Sequence, residues 1–283
     1  MSETLRSSSA LSRPWAFFCL AIGWSWLFWI PLALLGVDFG TPAGLLPALL
    51  GLLGPMVAGV TCTYLTQGKD GRRDYWTRIV DVKRPGIRWY AIILLFVPIL
   101  FALAVLLDRL FGGTGGAWEE SAIRIWAQPW AVVPIALGIF FVGPMEEFGW
   151  RGYVQDRLQE KGSALRASLI LGPVWSIWHL PLFFIDGTYQ QGLGVGTLGF
   201  WLFLVGIVPL TVVFTWIYNH THRSTFAIMV FHFMVNFTGQ MVEFTVRADV
   251  FSIGLWFAAA LGIILASRPM TSPSHGHHAR GGG

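Results

Sequence analysis

The sequence predicts an all-α polytopic membrane protein. It reads as a single membrane-embedded domain over residues 1–283, a bundle of about eight transmembrane helices around a polar cavity that opens towards the cytoplasm. Three observations carry that expectation. Hydrophobic residues make up 54% of the chain and charged residues 12%, about half the roughly 25% of a soluble domain. The apolar residues are gathered into runs long enough to cross a hydrocarbon core of about 30 Å. The basic residues are sorted between alternate loops, as topology signals are.

Taken in order, residues 1–14 are polar, carry Arg6 and Arg13, and are expected to form a cytoplasmic tail. The first span, 15–36, is too long for a signal-peptide core and is expected to be retained. The second, 43–66, holds Gly51, Gly54 and Gly59, which let a neighbouring helix approach closely. The third is 89–108. The fourth, 130–148, ends in the pair Glu146–Glu147. The fifth is 165–185, the sixth 197–218, the seventh 224–242 and the eighth 250–267. Between the fourth and fifth, residues 153–161 suggest a short interfacial helix. The tail 268–283, with His275, His277 and His278 among Gly, Ser and Pro, suggests disorder. Cys19 and Cys62 fall in apolar runs and read as buried thiols, with no disulfide framework.

With these spans, 16 of the 19 Lys and Arg residues fall on one side, and Arg109, Arg124 and Arg247 on the other. The positive-inside rule then puts both termini in the cytoplasm. The basic residues read as topology signals and contacts to membrane lipid, not as a nucleic-acid surface. The compact loops suggest a prokaryotic cell membrane.

Ionisable groups inside spans are few. They are Glu146, Glu147 and Arg151 at the end of the fourth, His179 in the fifth and His232 in the seventh, where the polar amide Asn236 accompanies it; Glu146, His179, His232 and Asn236 are the four that no expected ion pair accounts for. A charge at that depth costs several kcal/mol, by about 2.5–3.5 kcal/mol on insertion scales. One such group is most simply a packing residue or a headgroup anchor; four on an almost charge-free background point to a site. Glu147 and Arg151 are i and i+4, share a helix face and are expected to pair. Glu146 is turned about 100° away, with no partner expected in its own helix. His232 and Asn236 share a face in the same way. Pro144 and Pro181 break backbone hydrogen bonding beside Glu146 and His179, which is tolerated at depth where a cavity is lined. Glu243 and Arg247 are expected to form a surface ion pair.

A carboxylate, two imidazoles and an amide suit two chemistries. In one, Glu146 is a general base oriented with His179, and His232 and Asn236 donate to a developing oxyanion. In the other, Glu146, His179 and His232 hold a divalent metal such as Zn²⁺ with one position open for water. The residues leave cofactor-free and metal-dependent chemistry both open. No HExxH, GxSG or GxGD motif occurs.

At these residues the chain resembles the membrane-embedded protease family of CAAX prenyl endopeptidases and bacteriocin-processing enzymes, the CPBP or Abi family. Its EExxxR motif matches Glu146 to Arg151 and its HxxxN motif matches His232 to Asn236. Its FxxxH motif maps to Trp175–His179, with Trp175 in place of Phe, a change of volume that bears on pocket shape. The motif-bearing core is 129–242. The resemblance implies an intramembrane endopeptidase, glutamate-dependent or a metallopeptidase, acting on a membrane-associated peptide or protein that is prenylated in the CAAX type. It implies Glu146, His179, His232 and Asn236 as the catalytic set, with Glu147 and Arg151 in support. The alternatives are a non-catalytic membrane binding or bacteriocin-immunity protein on the same fold, and a transporter, against which the absence of an inverted repeat counts.

Overall fold

The computed structural model describes residues 13–267 and Met270. Among them, seven helical segments are long and apolar enough to cross a membrane: Pro14–Leu35, Pro42–Thr66, Ile87–Leu110, Pro129–Gln159, Ala164–Phe184, Leu198–His220 and Val246–Ala266. The expected fold class stands. The His-containing tail lies outside the described residues.

Local sequence signals fix the boundaries. Helix α1 (Pro14–Leu35) starts with proline in its first turn and ends at Gly36 in the left-handed region, φ 61°. The second span is broken at Leu53 into α2 (Pro42–Leu52) and α3 (Gly54–Thr66). A basic helix α4 (Lys69–Val80) precedes α5 (Ile87–Leu110). A strand β1 (Ala117–Trp118), helix α6 (Glu120–Ala127) and α7 (Val132–Val142) follow. After a 3₁₀ turn at Pro144–Glu146 come α8 (Glu147–Gly149), a π-helical turn Trp150–Val154 and α9 (Gln155–Gln159). Helix α10 (Ala164–Trp178) is capped by Ser163 and runs into a 3₁₀ turn, Leu180–Phe184, where Pro181 interrupts the ladder. Then come α11 (Tyr189–Leu193), α12 (Leu198–His220), α13 (Thr225–Gly239), β2 (Val242–Glu243) and α14 (Val246–Ala266).

The seventh expected span is α13, and it is only 15 residues long, about 22 Å at 1.5 Å per residue, too short to count among the seven. It still traverses the bundle. At its start, Arg223 bonds Asp156 beside α9. At its end, β2 pairs antiparallel with β1, Ala117 opposite Glu243, near the end of α5. Extended backbone at β2 thus carries the chain on beyond the end of this short helix. Glu243 therefore faces β1, and Arg247 pairs instead with Asp108 at 2.5 Å. The expected Glu243–Arg247 pair is incorrect, because the helix that would set its i,i+4 spacing begins only at Val246.

The glycines of the second span act as expected. A Cβ at Gly54 would strike Ser25, and one at Gly59 would lie 2.7 Å from the Phe148 carbonyl oxygen. The core is aromatic: Trp29, Trp150 and Trp178 are fully buried, with the Trp150 and Trp178 ring centroids 6.0 Å apart. Buried indoles keep their N–H groups bonded, Trp29 to the Ala48 carbonyl at 3.0 Å and Trp178 to Ser25 at 2.6 Å. Cys62 is buried, but Cys19 is exposed on α1: an apolar run in a membrane helix has a lipid-facing side as well as a buried one.

The fourth span is longer than expected. It runs to Gln159, and Tyr153 and Val154 are buried within it. Residues 153–159 therefore continue this helical segment, with a turn at 160–161, and do not form a separate helix. Arg151, expected at the end of this span, is a buried residue within it.

Candidate active site

The polar groups of the fourth, fifth and seventh expected spans meet. Helix α7 stops at Val142, and the 3₁₀ turn at Pro144 re-aims the chain so that Glu146 and Glu147 enter the bundle. A π-helical turn follows, a rare form that often marks functional sites. Glu146 is 3% exposed, Glu147 and Arg151 0%, His179 8% and His232 6%, so all five are withdrawn from the surface and each polar atom needs a partner.

Glu147 and Arg151 pair as their spacing predicts. Arg151 Nη1 donates to both carboxylate oxygens, at 3.1 Å and 3.0 Å. The Arg151 guanidinium lies 4.7 Å from the Trp175 ring and 4.5 Å from the Phe214 ring, where cation–π attraction favours a desolvated charge. His232 Nδ1 lies 2.8 Å from Glu147 Oε1. The carboxylate can only accept from it, so Nδ1 carries a proton. Glu147 thus joins its own helix to α13.

Glu146 differs from the expectation in one respect. It has a partner in its own helix, because an indole four residues on is long enough to reach it: Trp150 Nε1 donates to Glu146 Oε2 at 3.2 Å. Trp175 Nε1 donates to the same oxygen at 2.8 Å. His179 Nδ1 is 2.7 Å from the carbonyl oxygen of Trp175, which assigns the proton to Nδ1 and leaves Nε2 with a lone pair. The Trp175 ring lies 6.0 Å from the His179 ring and 5.4 Å from the His232 ring. Trp175 thus touches Glu146, Arg151, His179 and His232. Its substitution for Phe supplies a donor as well as volume.

Gly143 brings in the last group. A Cβ there would overlap Asn236 Nδ2 and lie 3.2 Å from His232 Nε2. The amide of Asn236 and the free nitrogen of His232 therefore sit side by side against the chain just before Glu146. Among the described residues, no three His, Cys, Asp or Glu side chains form a set that could hold a metal ion. Glu146, His179 and His232 are thus not gathered into such a set, and Glu146 Oε2 accepts from two indoles.

Sequence reasoning found six residues of this cluster and missed Trp150, Gly143 and the donor role of Trp175. It also missed a second buried network beneath the site. Arg78 of α4, 2% exposed, donates to Asp156 at 3.1 Å, the Tyr218 hydroxyl at 2.6 Å and the Gly152 carbonyl at 2.9 Å. Burial works against the Arg78 charge, but Tyr218 and Asp156 outweigh it and leave its pKa raised. This network ties α4 to the span that carries Glu146.

Beside α7 runs an apolar groove of about 410 Å³, lined by Leu49, Leu52 and Leu53 of the second span and by Leu137, Phe141 and Val142. It ends four residues before Glu146.

Residues 127–238 match the family model described as type II CAAX prenyl endopeptidase Rce1-like. That stretch contains all six expected site residues. The CAAX prenyl protease 2 of Methanococcus maripaludis is 26% identical over 266 residues, covering 93% of this chain and 97% of that protein.

Proposed function

We propose, from the Rce1-like domain that this chain carries, that the protein is an intramembrane endopeptidase in which Glu146 activates a water. The observation that carries this reading is the placement of one buried carboxylate with one oxygen held by two indole N–H groups, leaving Oε1 as the proton acceptor. His179 Nε2, with its lone pair, orients the same water by accepting its second hydrogen. The water gives one proton to Glu146 Oε1 as its oxygen attacks the scissile carbonyl carbon. Negative charge then develops on the carbonyl oxygen. Asn236 Nδ2–H donates to it, and so does His232 Nε2–H when that ring is doubly protonated, its positive charge facing Glu147. Collapse of the tetrahedral adduct breaks the C–N bond, and the proton on Glu146 passes to the leaving amine. Glu147 and Arg151 hold His232 in place.

The substrate is a membrane-associated peptide or protein. The apolar groove beside α7 supports an apolar chain on it, prenylated in the CAAX manner. The charge asymmetry of the loops supports an active site opening towards the cytoplasm, with both termini on that side.

The test is cleavage of farnesylated and unmodified C-terminal peptides by the purified protein beside its Glu146→Gln variant. The expected result is cutting that needs the prenyl group and falls by at least ~10²-fold in the variant, the usual contribution of a general base. Equal cutting by the variant would overturn the assignment of Glu146. Binding without products from either protein would favour a non-catalytic role.

A further inference from the structure

We propose that Trp175 and Trp150 are positioning residues that clamp Glu146 through one oxygen and so decide which oxygen meets the water. The proposal rests on the protease reading for its kinetic consequence, but the clamp itself stands on geometry. The two indoles come from different helices, yet both N–H groups converge on Glu146 Oε2, at 2.8 Å from Trp175 and 3.2 Å from Trp150.

Neither indole is free to move elsewhere. Trp150 is fully buried and packs at 5.5 Å against Phe17 and 6.0 Å against Trp178. Trp175, 2% exposed, is wedged between the Arg151 guanidinium and the ring of Phe214, 5.6 Å away. A carboxylate accepting two fixed donors on one oxygen has its rotation about the last side-chain bond fixed as well. The other oxygen is then held in one direction at no cost in ordering at the moment of reaction.

Trp175 does this twice over. Its side chain orients Glu146, and its backbone carbonyl takes the Nδ1 proton of His179. The two groups that meet the water are therefore aligned by one residue, through donors and acceptors that do not themselves react. A phenylalanine at this place keeps the carbonyl and most of the ring but loses the N–H. The clamp is then reduced to Trp150 alone, the longer of the two bonds.

The experiment uses the full chain in detergent micelles and has two arms. In the first, ¹⁵N-indole spectra are recorded, with Trp150→Phe and Trp175→Phe identifying the two resonances. Both are expected to shift in Glu146→Ala; if the Trp175 resonance stays in place, the clamp is refuted whether or not the protein cleaves anything. In the second, Trp175 is replaced by Phe and by 3-benzothienylalanine, which keeps the indole shape with sulfur in place of N–H. Both are expected to lower kcat by at least ~10-fold, within the ~10²-fold that a 1 Å misplacement costs. KM should stay within about twofold, the signature of an interaction felt in the transition state. Wild-type kcat in the benzothienyl protein would overturn the positioning role. Cleavage by Glu146→Gln would instead overturn Glu146 as the base and leave the spectral arm to decide on the clamp.

Discussion

His232 Nδ1 donates to Glu147 Oε1 across 2.8 Å, joining two residues 85 positions apart through a carboxylate that Arg151 already holds at 3.0 Å. The ion pair read from i,i+4 spacing is therefore the middle of a three-residue chain, Arg151–Glu147–His232. Removing Arg151 leaves a fully buried carboxylate facing only an imidazole. Arg151→Ala is expected to destabilise the protein by about 3–5 kcal/mol, the cost of breaking a buried pair from one side. Thermal unfolding in detergent measures it. The double variant Glu147→Gln/Arg151→Met should regain much of that stability without regaining turnover, because His232 loses its charged anchor. A stable, active Arg151→Ala protein would show that Arg151 is not needed to hold Glu147 and His232.

Gly143 has a different sensitivity. The backbone there is helical, with φ −83° and ψ −56°, so alanine brings no backbone strain. Its methyl group would meet the Asn236 amide, which is half-buried and able to move. Gly143→Ala should cost about 1 kcal/mol or less in stability while lowering kcat by ~10²-fold, the loss seen when an oxyanion donor is removed. Steady-state kinetics beside a melting curve separates the two. Unchanged kcat would mean that Asn236 does not act from this position.

How far the sequence showed this site depends on the reach of each interaction. Glu147–Arg151 was legible because both partners sit one turn apart on one helix. The convergence of Glu146, His179, His232 and Asn236 was legible as composition, since polar groups stand out in apolar spans. The Trp150 and Trp175 donors were not, because tryptophan in a membrane span reads as apolar bulk and its single N–H leaves no mark in a hydropathy pattern. The Arg78–Asp156 network was hidden for the opposite reason: Arg78 lies among seven basic loop residues and looks like one more topology signal. The fold class followed from hydropathy, but the segment after α13 is held by a β1–β2 pairing between residues over 100 positions apart, which no local pattern reveals.

The same network yields a prediction about folding. Arg78 is the only described residue bridging α4 to Asp156, Tyr218 and the Gly152 carbonyl together. Arg78→Ala would leave Asp156 with Arg223 and Tyr218 and strip a buried carbonyl of its donor, costing about 1–3 kcal/mol for the carbonyl alone. Helix α4 should then detach before the bundle melts. Limited proteolysis is expected to cut between residues 67 and 86 in this variant and not in the unmodified protein. Equal resistance of the two would show that α4 is held by Tyr75 and Ile79 packing instead.

The last prediction concerns the crossing of α3 and α8, where the approach is backbone to backbone. A Cβ at Gly149 would overlap the Pro55 carbonyl and lie 3.0 Å from the Phe17 ring, and one at Gly59 would lie 2.8 Å from the Gly149 Cα. Small residues at such a contact are what lets membrane helices pack without a hydrophobic drive between them. Unlike the Asn236 amide, the Pro55 carbonyl cannot step aside, so Gly149→Ala must push the two helices apart. Overpacking of this kind costs about 1–3 kcal/mol. Gly149 lies between Glu147 and Trp150, so the displacement also moves the acceptor of His232 and one donor to Glu146. Both stability and kcat are therefore expected to fall together, in contrast to Gly143→Ala, where kcat falls alone. Gly254→Ala in α14, with nothing within 4 Å of the added carbon, is the control and should match the unmodified protein in both measurements. A Gly149→Ala protein that melts earlier but turns over normally would show that the site is held by α10 and α13 and not by the α3–α8 crossing.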